Sequence, residues 1–203
     1  MQQNMYQLYK DPVGMLLILY SVVALALILG KLWSWYKVKA LTRGMSKQVQ
    51  QLLTSPDRQK LKDAFGKSPA PLAQVMAHVL KHDTSESPET TLLLLDDALD
   101  EVGSRLKRYL TLLAAVAGTA PFLGLLGTVL GIMNTFWSIM QKGFGGPTVI
   151  SFGIAQALQT TAAGLVIAIP AFIAFNLFNT ASNNAVRNLR TQANRIFVAL
   201  GDL

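Results

Sequence analysis

Cysteine is absent from this sequence of 203 residues, which excludes disulfides, zinc–thiolate sites and thiol nucleophiles. Acidic residues are scarce, and none lies between Val102 and Gly201. The two histidines, His78 and His82, could share a metal ion, but a solvated helix face explains them more simply because only Asp83 could add a third ligand. No Ser/His/Asp, Cys/His or paired-carboxylate arrangement occurs in the apolar part of the chain. We therefore expect a protein that is not an enzyme and that uses no metal and no cofactor.

Long uncharged runs are what the sequence has in abundance. They cover Val13–Gly30, Tyr109–Gln141 and Thr148–Ala185. At about 1.5 Å per residue, the second run as a helix exceeds the ~30 Å hydrocarbon core of a bilayer, and the first is near the lower limit for a span. The sequence therefore predicts an all-α membrane protein with three transmembrane helices. A cleaved signal peptide is the competing interpretation of the first run, but the residues before that run carry little net positive charge.

Basic and aromatic residues set the expected orientation. The first run is followed directly by Lys31, Trp33, Trp35, Tyr36, Lys37 and Lys39. This pattern is typical of an aromatic belt with a basic anchor at the cytoplasmic end of a span. The tail after Arg187 is also basic, so we expect the N-terminus outside and the C-terminus inside. The net charge of +7 follows from this distribution, and no base-stacking motif indicates a nucleic-acid partner.

The runs divide the chain into seven expected segments. Residues 1–12 form a short periplasmic N-terminus, 13–30 the first span, 31–108 a cytoplasmic helical segment, 109–141 the second span, 142–147 a periplasmic turn, 148–182 the third span and 183–203 a cytoplasmic tail. In the cytoplasmic segment we predict helices over Asp57–Phe65 and Leu72–Leu80. Apolar residues then recur every three or four positions from Leu92 to Tyr109, and no stop signal follows. We therefore predict one helix from about Glu89 to about Gln141, so that the second and third long helices extend into the cytoplasm.

Small and polar residues form a stripe along each of the last two runs. On the second run they are Ala117, Pro121, Gly124, Thr128, Gly131, Thr135 and Ser138; on the third they are Gly153, Ala157, Thr161, Gly164, Ala168 and Ala171. Such a stripe allows close packing against other helices or lines a pore. Packing is the plainer interpretation. The functional one is a polar path, for which the candidate residues are Thr128, Thr135, Thr160, Thr161 and Gln156.

Such a path lacks a group that could itself take up a proton. Hydroxyls and amides can support a hydrogen-bonded chain of water molecules. The group that takes up and releases the proton must be a carboxylate or an imidazole. The second and third spans contain neither. If protons cross here, a partner must bring the ionisable group. Because three spans in one copy cannot enclose a polar path, we also expect a homo-oligomer, with a closed ring favoured.

Two segments carry a family resemblance. Residues 124–136 (GLLGTVLGIMNTF) and 156–170 (QALQTTAAGLVIAIP), at this separation, resemble the ExbB/TolQ/MotA proton-channel family. The likeness extends over nearly the whole chain and is greatest to ExbB-type members, then to TolQ-type members. MotA-type flagellar subunits are less similar because they have four spans.

The resemblance implies a pentamer in the bacterial inner membrane, built around an ExbD-like partner with one span. An aspartate in the partner's span takes up and releases the protons, and the motion acts through TonB on outer-membrane import of iron-siderophores or vitamin B12. By motif match, Thr128 and Thr161 are the family's pore threonines, and Pro170 lies at its kink in the third span. The glycines that allow close helix approach are Gly124, Gly127, Gly131 and Gly164.

Two departures from the family pattern bear on these expectations. Many ExbB-type proteins carry Glu where this chain has Gln156, and many carry Glu-Arg where it has Gly30-Lys31. A TolQ-like subunit of the Tol–Pal envelope system and a non-conducting membrane scaffold are the alternatives. The sequence does not separate ExbB-type from TolQ-type members, nor does it name the substrate whose import is powered.

Overall fold

The computed structural model describes residues 12–52, 63–66, 68–81, 88–143 and 146–200. The elements assigned in these ranges are α-helices: α1 (Pro12–Leu52), α2 (Pro71–Lys81), α3 (Pro88–Lys107), α4 (Leu110–Lys142) and α5 (Pro147–Leu200). Three stretches are long and apolar enough to cross a membrane: Pro12–Leu41, Leu110–Gln141 and Pro147–Leu200. The all-helical prediction with three long apolar helices is confirmed.

The chain divides into two units. Unit 1 comprises Met1–Leu29 and Tyr109–Leu177, and unit 2 comprises Gly30–Arg108 and Phe178–Leu203. The helix predicted over 72–80 is confirmed as α2, whereas the one predicted over 57–65 lies mostly outside the described residues, of which 63–66 are helical. The helix that contains the first apolar run, α1, continues beyond Gly30 to Leu52.

Unit 2 has a hydrophobic core formed by α2, α3 and the C-terminal part of α5. The apolar face of α3 is buried at Leu95, Leu99 and Val102, whereas Leu92 near its start is exposed, as is Tyr109, which lies beyond the end of α3. From the other two helices the fully buried side chains include Leu72, Val75, Met76, Val79 and Leu80 of α2, and Ala193, Ile196 and Phe197 of α5. The three-to-four spacing on α3 thus gives one apolar face, and burial of that face stabilises the helix.

The single helix predicted from about Glu89 to about Gln141 is wrong. The helix is interrupted after Lys107 and resumes at Leu110, and Tyr109 between them has a left-handed backbone with φ 67°. This conformation costs about 1–2 kcal/mol for a residue other than glycine. Neither glycine nor proline occurs at positions 108–110. The local sequence therefore contains no signal for the break.

Side chains from other helices bind the carbonyls at the interruption. The Lys31 ammonium donates hydrogen bonds to the Leu106 carbonyl at 2.5 Å and to the Arg108 carbonyl at 3.1 Å. The Ser182 hydroxyl donates to the same Leu106 carbonyl at 3.2 Å. A cation at a helix C-terminus also complements the helix dipole. Lys31, expected to be part of a basic anchor at the cytoplasmic end of the first span, binds the end of α3.

Leu99→Ala tests the unit 2 core. Leu99 is fully buried, so we expect the substitution to lower the free energy of unfolding by about 2–5 kcal/mol through lost burial and a new cavity. Leu93→Ala on the same helix is the matched control, since Leu93 is 64% exposed and its loss should cost no more than about 0.5 kcal/mol. Thermal unfolding of the purified protein in detergent measures both, and equal shifts would contradict the assigned core.

Candidate functional site

In unit 1, α4 and α5 approach each other through small residues. A Cβ atom added to Gly124 would lie 2.9 Å from the Thr160 carbonyl oxygen and from the Thr161 Cα. One added to Gly131 would lie 2.8 Å from the Ala157 Cβ. Real side chains do not approach so closely, so these positions require glycine for the observed separation of the two helices.

Two further glycines lie at the same contact. A Cβ on Gly127 would lie 2.6 Å from the Thr160 hydroxyl, and one on Gly164 would lie 2.6 Å from the Ala120 carbonyl oxygen. Pro170, in contrast, is exposed, and α5 continues through it as one helix. The four glycines named from the sequence therefore all lie where α4 meets α5.

The Gly124 carbonyl is the centre of a hydroxyl cluster. It accepts hydrogen bonds from Thr161 at 3.0 Å, from Thr128 at 3.1 Å and from Thr160 at 3.3 Å. The Thr128 and Thr161 hydroxyls also contact each other directly. Thr128 comes from α4 and the other two threonines from α5, so the cluster exists only because the two helices are in close contact.

The cluster has more donors than the carbonyl can satisfy. A carbonyl oxygen has two lone pairs, and in a continuous helix the amide four residues later already uses one. Thr160 has a second acceptor in the Ala157 carbonyl, at 2.7 Å. One hydroxyl of the Thr128–Thr161 pair can therefore bond to Gly124 while the other bonds to its partner hydroxyl. Either hydroxyl can be the one that bonds to Gly124, and in both arrangements hydroxyl lone pairs remain available as acceptors.

The remaining candidates, Thr135 and Gln156, line a cavity of about 280 Å³. Thr135, Gln156 and Thr160 line it together with Asn134, and Pro12 and Val13 of α1 contribute to its wall. The Thr135 hydroxyl donates to the Gly131 carbonyl at 2.8 Å. Since the protons of Thr135 and Thr160 are directed at carbonyls, these hydroxyls present acceptors to the cavity. Thr160 is the candidate shared by the cavity and the hydroxyl cluster.

Every residue that lines this cavity is neutral. Among the residues that the structure describes, no group of three or more His, Cys, Asp or Glu side chains is placed to hold a metal ion. The site can therefore donate and accept hydrogen bonds and hold water, but its own side chains do not titrate near neutral pH.

Sequence reasoning missed the acceptor at the centre of the cluster. Backbone carbonyls carry no sequence signature, although the four-residue spacing of Gly124 and Thr128 is the one at which a threonine hydroxyl can bond back to a helix carbonyl. Spacing on one helix could not reveal that Thr160 and Thr161 of α5 reach the same oxygen.

Comparison with known proteins places these residues in a family context. A model of the MotA/TolQ/ExbB proton channel family matches residues 67–191, more than half of the chain. Proteins named biopolymer transport protein ExbB are similar: 29% identical in Pseudomonas putida, 30% in Neisseria gonorrhoeae and 33% in Salmonella typhimurium. The alignments cover 79%, 81% and 80% of this chain, and 54%, 68% and 69% of the respective relatives. The chain thus spans from about half to about two thirds of their lengths.

Gly164→Ala tests the close approach of α4 and α5. The added methyl group would meet the Ala120 carbonyl, part of the backbone of α4, so we expect a loss of about 1–3 kcal/mol in stability. Gly118→Ala is the matched control, because nothing lies within 4 Å of its added Cβ and alanine favours a helix. Thermal unfolding of both purified variants measures the two effects. A Gly164→Ala protein as stable as the control would refute the tight contact.

Proposed function

The chain belongs to the MotA/TolQ/ExbB proton channel family, and we propose that it is a proton-conducting motor subunit that works with an ExbD-like partner. It is a multi-pass membrane protein with three candidate spans. The observation that carries the proposal is the threonine hydroxyl pair of Thr128 and Thr161 within spans that have no carboxylate. The protein is a channel and motor component rather than an enzyme.

The hydroxyl pair suits a partner group that alternates between two protonation states. A protonated carboxyl of the partner donates a hydrogen bond to a free lone pair on Thr161 or Thr128. An ionised carboxylate needs a donor, and one hydroxyl can turn toward it while the other remains bonded to the Gly124 carbonyl. The pair therefore stabilises both states by reorienting one hydroxyl proton.

Exposure favours Thr161 as the contact with the partner. Thr128 is only 8% exposed, whereas Thr161 is half-buried. Hydrogen bonds from neutral donors to a charged group contribute about 1.5–3 kcal/mol. The chain's part is thus to bind and orient the carboxyl, while the aspartate in the partner's span takes up and releases the proton.

The assembly we propose is a homo-oligomeric ring in the bacterial inner membrane. Three spans in one copy cannot enclose a polar path, so several copies must surround the partner. The number five follows from the family resemblance, and the orientation with the N-terminus outside follows from the basic residues after the first span and in the tail. The motor acts through TonB on outer-membrane import. The relatives named ExbB favour this system over the Tol–Pal envelope system.

A non-conducting scaffold is the competing function. In that case the threonine hydroxyls would only satisfy carbonyls at the helix contact, as the bond from Thr128 to Gly124 in its own helix already does. Removal of one hydroxyl distinguishes the two functions, because the Gly124 carbonyl keeps its other threonine donors.

Thr161→Val tests the conducting role. Valine keeps the branched shape, and Thr128 and Thr160 continue to satisfy Gly124, so we expect assembly with the ExbD-like partner to be retained. Proton flux into proteoliposomes should fall by about 10- to 100-fold, because a hydrogen bond of about 1.5–3 kcal/mol to the partner carboxylate is lost.

Thr161→Ser is the matched control and should conduct, since it keeps the hydroxyl. Liposomes that contain the chain without its partner give the background. Undiminished flux and undiminished siderophore-dependent growth in the valine variant would rule out a role for the Thr161 hydroxyl and favour the scaffold.

A further inference from the structure

A cavity of about 440 Å³ lies between α3 and the C-terminal part of α5, within unit 2. Its volume is within the range of ~300–1,000 Å³ that is usual for ligand pockets. The polar side chains that line it are Asp100, Ser104 and Lys107 of α3, and Asn183 and Arg187 of α5. The function proposed above uses none of these residues.

The two helices are in contact at this cavity. A Cβ atom added to Gly103 of α3 would lie 3.3 Å from a methyl carbon of Val186 of α5, and both residues line the cavity. Leu99, also in the lining, belongs to the buried core that α3 and α5 share. Because the core fixes one helix against the other, the polar side chains on either side of the contact are held near each other.

The cavity carries a net positive charge. Lys107 and Arg187 are its cations, and Asp100 is the one acidic residue among the described residues that line it. Seven positions separate Asp100 from Lys107 on α3, which is about 10 Å along a helix. The positive charge is therefore concentrated at the end of the cavity that Lys107 and Arg187 form.

Neighbouring arginines on the same two helices are paired with carboxylates, whereas these two cations are not. Arg105 pairs with Glu101 at 2.6 Å, and Arg190 pairs with Asp96 at 2.7 Å. Within the ranges that the structure describes, Lys107 and Arg187 form no such ion pair. Their charges are therefore available to an anion.

Hydrogen-bond donors accompany the two charges. The Arg187 guanidinium uses one N–H on the side-chain oxygen of Asn184, at 2.7 Å, and a guanidinium has five donors in all. The Ser104 hydroxyl and the Asn183 amide can donate as well. Charged donors bind phosphate oxygens more strongly than neutral ones do. The set of donors thus suits a phosphate group.

The sequence places this basic end of the cavity next to the apolar runs. Lys107 lies three positions before the candidate span that begins at Leu110. Arg187 is the first charged residue after the uncharged run Thr148–Ala185. Residues at the ends of spans meet the lipid headgroups, and basic pockets between helices at this level bind anionic headgroups. The membrane itself therefore supplies a phosphate-bearing ligand at this position.

We propose that the cavity binds the headgroup of an anionic phospholipid, with its phosphate between Lys107 and Arg187. Ser104 and Asn183 add hydrogen bonds to the same headgroup. A headgroup that carries its own cation, such as choline, is disfavoured because Lys107 and Arg187 repel that cation. The proposal requires only that the chain spans a membrane, and it does not depend on proton conduction.

Native mass spectrometry of the full chain, assembled with its ExbD-like partner in detergent, tests the site. The probes are dioleoylphosphatidylglycerol, which is anionic, and dioleoylphosphatidylcholine, which is not. We expect the anionic lipid to bind more tightly. Lys107→Gln and Arg187→Gln should each weaken its binding by about fivefold, the effect of one basic residue near an anionic headgroup. Equal affinity of the wild-type complex for both lipids would overturn the proposal.

Arg105→Gln and Arg190→Gln are the matched controls. Each removes one positive charge from the same helices, but from an arginine that is paired with a carboxylate. We expect both to bind phosphatidylglycerol like the wild type. If they weaken binding as much as Lys107→Gln does, the effect comes from overall charge and the cavity is not the site. Thermal unfolding of all four variants checks that unit 2 remains folded.

A variant that keeps both cations tests the cavity itself. Ser104→Leu narrows the cavity and removes one donor without a change in charge, so it should also weaken the binding of phosphatidylglycerol; binding like that of the wild type would contradict the site.

Two further outcomes would assign the cavity to another ligand. Displacement of the lipid by an equal concentration of inorganic phosphate would indicate a site for soluble anions. Loss of the partner protein from the Lys107→Gln complex, with lipid binding unchanged, would indicate a protein-docking site. Either result would overturn the lipid assignment.

Discussion

At Gly124, α4 and α5 approach so closely that one added carbon would lie 2.9 Å from the backbone of the neighbouring helix. The hydroxyl cluster depends on this proximity. Thr160 and Thr161 of α5 reach a carbonyl of α4 only because no side chain separates them. In a lipid environment, where hydrophobic burial gives little reason for helices to associate, such close packing and interhelical hydrogen bonds are the forces that hold spans together. The same glycines thus serve packing and bring the polar groups together.

The neutral interior of the spans limits what this chain can do alone. A charged side chain in a membrane is costly, and the stretch from Val102 to Gly201 contains no carboxylate. What the hydroxyl pair offers instead is adaptability, because each threonine hydroxyl both donates and accepts. Because the chain belongs to a proton channel family, we propose that the hydroxyl pair binds a group that changes its protonation state. The division of labour that we propose gives the titrating group to the partner and its binding site to this chain.

The local pattern of residues largely predicted which segments are helical, but it did not predict where one helix ends and the next begins. α2 was expected at Leu72–Leu80 from its apolar residues and the prolines before it, and it extends over Pro71–Lys81. The stop at Lys107 was not expected, since Arg108, Tyr109 and Leu110 are all compatible with a helix. Lys31 was interpreted as part of a basic anchor at the cytoplasmic end of the first span, because its neighbours are aromatic and basic. Its bonds to the α3 carbonyls depend on where α1 and α3 lie in the fold.

By itself the sequence determined the three apolar helices, the small-residue stripes and the lack of any titrating group in the last two spans. These properties depend only on residues that are close together in the sequence, so composition and spacing are enough to predict them. Only the tertiary structure decided that three hydroxyls converge on the Gly124 carbonyl and that Lys31 caps α3. Those contacts join residues up to 37 and 77 positions apart, and their acceptors are backbone carbonyls, which every residue carries and no sequence pattern distinguishes.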